Sequence, residues 1–149
     1  MQITLATPSD IPSLCTLLHL LFSQEVEFTP DAVAQSRGLA LIINNPDTGH
    51  ILLAREGDTV AGMVNLLYTV STALGARVGL LEDMMVAPAF RNSGIGSQLL
   101  QHAIAHARQQ GCQRITLLSD RNNEAAHRFY QRSGFTLSSM IPLRLSLQD

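Results

Sequence analysis

The sequence predicts an α+β fold of the α/β type: a mixed, mostly antiparallel central sheet flanked by helices. Three observations carry that prediction. Some short segments alternate polar and apolar residues, whereas others repeat apolar residues at helical spacing. The two kinds follow one another as β-α-α-β-β-β-α-β-α-β, with room for one more strand. Hydrophobic residues make up 46% of the 149 and charged residues 15%, the profile of one compact domain over residues 1–149 with a substantial core.

Gln2 to Ala6 alternates polar and apolar, as a half-buried strand does. Ser9 or Asp10 can cap a helix from Ile11 to about Phe22, with Leu14, Leu17, Leu18 and Leu21 on one face. Thr29-Pro30-Asp31 starts a second helix with a capping hydroxyl, a first-turn proline and an acid favoured by the dipole. That helix runs to about Asn44, where Asn45-Pro46-Asp47-Thr48-Gly49 breaks the chain. Ile51–Arg55 and Thr59–Tyr68 flank Glu56-Gly57-Asp58, a hairpin signal. Val78–Val86 is the next strand, Gln98–Gln110 the next helix and Ile115–Ser119 a short buried strand. A last helix, from about Asn123 to Gln131, stops at Gly134. Phe135–Leu137 and Ile141–Leu147 are predicted to close the sheet, with Pro142 at an edge or a strand entry because it has no N–H to donate.

The most informative stretch is Arg91-Asn92-Ser93-Gly94-Ile95-Gly96-Ser97, between a largely apolar strand and a helix. First-turn N–H groups have no intrahelical partner, and the helix dipole places partial positive charge there. Gly94 and Gly96 lack Cβ atoms, so a phosphate can approach the main chain. The stretch is no Walker loop, because no Gly-Lys-Ser/Thr follows. It is no dinucleotide fingerprint either: that needs a third glycine and an acid about 20 positions on.

In this setting the sequence resembles the GNAT superfamily of acetyl-CoA-dependent N-acetyltransferases. The matching residues are Leu81-Glu82-Asp83-Met84-Met85-Val86-Ala87-Pro88, the Arg91–Gly96 loop, and Asn123 and Tyr130 followed by Ser133-Gly134-Phe135. They cover about the last half of the chain, in the family's order and spacing. Glu82-Asp83 ahead of the loop is most similar to the aminosugar-phosphate acetyltransferases. The resemblance implies a V-shaped opening between the strands ending at Val86 and Ser119, with acetyl-CoA as co-substrate and no metal. It places the pyrophosphate on the turn from Arg91 through Asn92, Ser93, Gly94, Ile95 and Gly96 to Ser97. It sets the pantetheine arm along the main chain of Met84, Met85 and Val86, where a bulge frees amides. It makes Asn123 a hydrogen-bond partner of that arm and brings Tyr130 near the sulfur.

Direct attack of a neutral amine on a thioester needs a route for the amine proton, an oxyanion donor and a proton for the departing sulfur. No nucleophilic side chain is required, in keeping with the lack of a Ser-His or Cys-His elbow. A phenol of pKa about 10 is protonated at neutral pH and can donate to a thiolate whose conjugate acid sits at about 8.5; Tyr130 is the candidate. Asn123 and Tyr130 are seven residues apart, two helical turns, so they share a face. Neighbours in a strand point to opposite faces, so only one of Glu82 and Asp83 can line a central cleft. The resemblance to the aminosugar-phosphate acetyltransferases makes Glu82 the candidate base, directly or through water, with Asp83 left to cap a neighbouring element or orient substrate. Some relatives carry a further carboxylate where this chain has Leu118.

His102 and His106 stand at i, i+4, but no third ligand is evident and they flank the apolar stripe; they read as structural. His127 reads as a surface residue. Arg128 and Arg132 either meet the 3′-phosphate of CoA or stay solvated. Glu25, Glu27 and Asp31 form an acidic group suited to a cationic amine acceptor. A formal net charge of −2 offers no basic field for nucleic acid. No apolar run approaches a membrane span, the N-terminus does not read as a signal peptide, and Cys15 and Cys112 read as reduced, buried thiols. Those features suit a cytoplasmic protein, and the strand Ile141–Leu147 offers an edge for a homodimer. Two function classes follow. One is an N-acetyltransferase moving acetyl from acetyl-CoA onto a primary amine of a small molecule or peptide. The other is a non-catalytic acyl-CoA-binding module on the same fold. A nucleotide-binding module is a more distant third.

Overall fold

A five-stranded sheet organises the first of two compact units into which the chain divides, Met1–Leu118 and Ser119–Asp149. The structure, a computed structural model, describes residues 1–24 and 30–148. The first unit runs β1 (Gln2–Leu5), α1 (Ile11–Gln24), α2 (Ala32–Ile43), β2 (Gly49–Glu56), β3 (Thr59–Ser71), β4 (Ala76–Val86), α3 (Ile95–Gln109) and β5 (Ile115–Leu117). The strands lie in the order β1-β2-β3-β4-β5, antiparallel except for the β4–β5 pair. The exception has a topological cause: β4 and β5 are joined through α3, and a crossover helix returns the chain in the same direction. Among the described residues no helix is long and apolar enough to cross a membrane.

Helices cover both faces. On one, Leu14, Leu17 and Leu18 of α1 and Leu39 of α2 bury against Ile51, Leu53, Met63 and Met85. On the other, α3 packs on β2, β3 and β4 through Leu99, Leu100, Ala103 and Ala107. Gly62 sets how close α3 can come. A Cβ there would stand 2.9 Å from both Leu99 Cδ1 and the Met85 carbonyl oxygen.

The α3 face also holds a half-buried polar group. His50 Nδ1 and the Tyr68 hydroxyl are 2.6 Å apart, and the His50 and His106 rings meet edge to face with centroids 4.6 Å apart. Arg77 stacks over the Tyr68 ring. His106 Nε2 is buried without a hydrogen-bond partner. His102 is outside this group, with Nδ1 2.8 Å from the Gln98 carbonyl oxygen on its own helix.

Element ends follow local chemistry. Neither Ser9 nor Asp10 opens α1 as a simple cap. Pro8–Asp10 forms a 3₁₀ turn whose Asp10 carboxylate accepts from the Thr7 amide at 2.8 Å and pairs with Arg55 at 2.6 Å. Burial alone would raise Asp10, but these two partners outweigh it and hold the carboxyl below its ordinary value. Asp31 caps α2, accepting from the amides of Val33 and Ala34. Thr29, expected as that cap, lies outside the described residues, as do Glu25 and Glu27. Cys15 and Cys112, expected to be buried, are half-buried free thiols.

The second unit carries α4 (Glu124–Arg132), capped by Asn123 and ended by Gly134, whose φ of +102° suits glycine. After it the expectation of two closing strands fails. Neither Phe135–Leu137 nor Ile141–Leu147 pairs with any strand among the described residues, and Leu143, Leu145 and Leu147 are almost fully exposed. A period-2 pattern needs a partner to become a strand. Here Pro142 removes a donor, while the hydroxyls of Ser138 and Ser146 take the amides of Met140 and Gln148 instead.

Gly62→Ala should cost about 1–3 kcal/mol in urea unfolding, because the added methyl must displace α3 or the strand beneath it. Burial holds His50 and His106 below their ordinary 6.5, His50 further through the nearby charges of His106 and Arg77. Below that value the unfolded chain takes up protons that the folded one resists, so stability rises with pH through the window just under 6.5. The melting temperature should therefore drop between about pH 7 and pH 5, and His106→Leu should flatten that slope.

Candidate functional site

A register shift in the sheet shapes the site. Met63 of β3 pairs with Met85 of β4, yet Asn65 pairs with Glu82, so Val64 alone lies opposite Asp83 and Met84. This two-against-one bulge breaks side-chain alternation, and Asp83 adopts a left-handed φ of +55°. The expectation that only one of Glu82 and Asp83 faces a cleft is thereby overturned: both line the same cavity. Asn65 Nδ2 donates to Asp83 Oδ2 at 2.5 Å, which fixes both side chains.

That cavity has a volume of about 280 Å³. Leu18 and Phe22 of α1 and Leu39 and Ile42 of α2 supply apolar walls, and Asn65, Glu82 and Asp83 supply a polar floor. Gln35 of α2 also lines it. Gln35 Nε2 and Asn65 Oδ1 are buried without partners. Sequence reasoning missed both residues. Asn65 had a signal, a lone amide inside the apolar run Val60–Tyr68, whereas Gln35 had none.

Beyond the bulge, Met85 and Val86 pair with Met63 and Gly62 on one side. On the other side β5 pairs only with Gly79, Leu80 and Leu81, so among the described residues no strand pairs with Met84, Met85 or Val86 there. The chain then turns through Pro88–Phe90, held by the Ala87 amide on the Ala61 carbonyl at 2.8 Å. Arg91 folds back, Nε donating to the Val86 carbonyl at 3.2 Å, and the Ser93 hydroxyl donates to the Phe90 carbonyl. Asn92 and Gly94 take left-handed φ values of +63° and +83°. Gly94 is the N-cap of α3, no side chain caps that helix, and a Cβ at Gly94 would meet nothing within 4 Å. The first intrahelical bond is Gln98 N–H to the Gly94 carbonyl, at 3.1 Å. The amides of Ile95, Gly96 and Ser97 therefore crowd the first turn at the positive end of the dipole, while the Ile95 side chain anchors the turn in the core. An uncapped turn with open space before it fits a diphosphate.

In the second unit, Asn123 accepts from the Ala126 amide through Oδ1, leaving its amide nitrogen as the other hydrogen-bonding group. Tyr130 packs edge to face on Phe129 and Phe135, at centroid distances of 5.1 and 5.7 Å. Burial pushes its phenol up to about 12. His127 Nε2 sits 2.9 Å from the Asp120 carbonyl oxygen, and Arg128 and Arg132 are exposed. Leu118, where some relatives carry an acid, is half exposed.

The Acetyltransferase (GNAT) family model matches residues 13–135. The chain belongs to the GNAT acetyltransferase family. It is 32% identical over 133 residues to an aminoalkylphosphonate N-acetyltransferase of Salmonella typhimurium, covering 89% of this chain and 83% of that one. It is 30% identical over 138 residues to the uncharacterized N-acetyltransferase YhfO of Bacillus subtilis, covering 91% and 89%. Among solved structures, an integron cassette protein from the mobile metagenome of Cole Harbour Salt Marsh superposes with a TM-score of 0.86 at 26% identity, over 99% of this chain and 91% of that one. A mixed sheet flanked by helices is the architecture of this family.

Asp83→Val should destabilise the fold by about 1–3 kcal/mol, since a β-branched residue at positive φ is strained and the Asn65 bond is lost. Asp83→Gly loses the same bond without the strain, so its denaturant midpoint should fall less.

Proposed function

We propose that this GNAT-family protein moves the acetyl group of acetyl-CoA directly onto a primary amine of a small molecule or peptide. The observation that carries the reading is the uncapped first turn of α3, set directly after a β4 edge that no strand pairs with among the described residues. In this reading the Arg91–Ser97 turn grips the diphosphate through the amides of Ile95, Gly96 and Ser97, with Arg91, Asn92, Ser93 and Gly94 shaping its approach. The amides of Met84, Met85 and Val86 take the carrier arm as an added strand, and Asn123 contributes its amide group. Bound acetyl-CoA supplies the electrophilic thioester. One β4 amide donates to the carbonyl oxygen as negative charge develops there. The family match runs across both compact units, which supports one functional domain.

Glu82 is the proposed base. It lines the cavity where an amine can lodge and takes a proton from the incoming ammonium, leaving nitrogen its lone pair. Tyr130 is the proposed donor to the departing sulfur. A phenol held protonated to about pH 12 presents its O–H at every working pH. Full transfer to a thiolate of conjugate pKa about 8.5 is uphill from there, so Tyr130 steadies the leaving sulfur by a hydrogen bond, and the second amine proton passes to that sulfur as the C–S bond breaks. The Salmonella relative is named for an amine substrate, an aminoalkylphosphonate; only the amine is carried over here. Half-buried free thiols agree with a reducing, cytoplasmic setting.

A non-catalytic acyl-CoA-binding module is the second reading, and the edge-to-face packing of Tyr130 on Phe129 and Phe135 is the observation in its favour. One experiment separates the two. With an amine panel and free-thiol detection, Tyr130→Phe should lower kcat by about 100-fold while calorimetry shows unchanged acetyl-CoA affinity. Turnover intact across the pH range would remove Tyr130 from the chemistry. Backbone NMR shifts on adding CoA should be largest at Ile95, Gly96 and Ser97, and silence there would refute the cradle.

A further inference from the structure

We infer that the cavity between α1, α2 and the β3–β4 bulge selects a small amine on an uncharged, largely apolar body and turns away acceptors that carry a phosphate or phosphonate. The inference rests on the acyl-transfer reading and names the acceptor class for that same site.

Charge is the first argument. Asp31, Glu82 and Asp83 line the cavity, and no arginine does among the described residues. The chain has no lysine at all. A phosphate or phosphonate is normally held by arginine or lysine, or by an open helix N-terminus. The helix N-terminus at this cavity belongs to α2, and it is already taken: Asp31 Oδ1 accepts from the amides of Val33 and Ala34, both at 3.1 Å. An anionic tail would therefore meet three carboxylates, with no cation and only the single neutral donor group of Gln35 to offset them. An ammonium meets the same three as partners.

Two buried amides give the second, independent argument. Gln35 and Asn65 line the cavity at 7% and 3% exposure, and each keeps one side-chain atom without a hydrogen-bond partner. Buried polar groups are normally satisfied, so such atoms mark where an occupant supplies the missing bond. Because Asn65 Nδ2 donates to Asp83, its Oδ1 is left as an acceptor, suited to an ammonium N–H. Gln35 Nε2 is a donor, suited to a neutral oxygen on the body of the acceptor. Leu18, Phe22, Leu39 and Ile42 enclose the rest. At about 280 Å³ the cavity suits a body of a few carbons.

The test compares 3-methylbutylamine with 3-aminopropylphosphonate on the full chain, by calorimetric binding and by acetylation from acetyl-CoA. The alkylamine should bind about tenfold more tightly or better, and be acetylated with a kcat/KM higher by a similar factor. Gly38 of α2 lines the cavity with open space where a side chain would start. Gly38→Arg supplies the missing cation, so it should cut that preference about tenfold. Equal or tighter binding of the phosphonate to the unmodified protein, or no binding of either amine, overturns the inference. So does a Gly38→Arg protein that folds but keeps the original preference. Selective binding with no acetylation of any amine would instead sink the acyl-transfer reading and leave the cavity's selectivity standing.

Discussion

Two residues of β4 share one partner on β3, and much of the first unit's chemistry depends on that mismatch. A strand in strict register would send Glu82 and Asp83 to opposite faces. The bulge opposite Val64 instead turns both toward one cavity and holds Asp83 in a left-handed conformation tied to Asn65. After the bulge the strand recovers its pairing with β3 but, among the described residues, pairs with no strand on its other edge. Within five residues β4 thus passes from a sheet member to a cavity floor and then to an open edge of main-chain groups.

Rigidity on the opposite face keeps the next element in place. α3 is drawn onto the sheet by Leu99, Leu100 and Ala103, and Gly62 lets the backbones approach closely. Ile95 buries its side chain while its amide stays at the uncapped turn, so the first turn is anchored by packing rather than by a cap. The price is a helix end whose donors find no side-chain partner, which is tolerable only where water or an anion can serve. The same face half-buries His50 and His106, whose protonation burial disfavours, so proton uptake there works against the platform that carries the turn.

The cavity and the turn ask opposite things of a ligand. The α3 turn offers amides and a dipole to an anion; the cavity offers carboxylates and an amide oxygen to a cation. Asp31 sharpens the contrast, because by capping α2 it removes the one helix terminus that would have drawn an anion into the cavity. In the proposed reaction, a polar division of this kind would separate the phosphate end of one substrate from the ammonium of the other by electrostatics before any close contact forms.

Much of this was legible in the residues. Period-2 and helical patterns located the five strands and four helices, because most of these elements bury one face, although α4, β1 and β5 bury no residue fully. The Arg91–Ser97 turn was readable because positive φ, a missing Cβ and a helix start each leave a mark on composition. A helix start at Thr29-Pro30-Asp31 was readable too, although the cap is Asp31 and the helix begins at Ala32, later than the expected capping hydroxyl and first-turn proline placed it. Three things were not. The bulge needs the register of β3 against β4, a long-range pairing that neither strand encodes alone, and it reversed the reading of Glu82 and Asp83. Gln35 and Asn65 become notable only once packing denies them partners. The leucines at 143, 145 and 147 spell a strand locally, yet a ladder requires a neighbour, and Pro142 with the serine hydroxyls left that segment without one. Local chemistry, then, is written in the chain, whereas who lies opposite whom is decided only when the sheet assembles, since hydrogen bonds between strands join residues that the sequence keeps far apart.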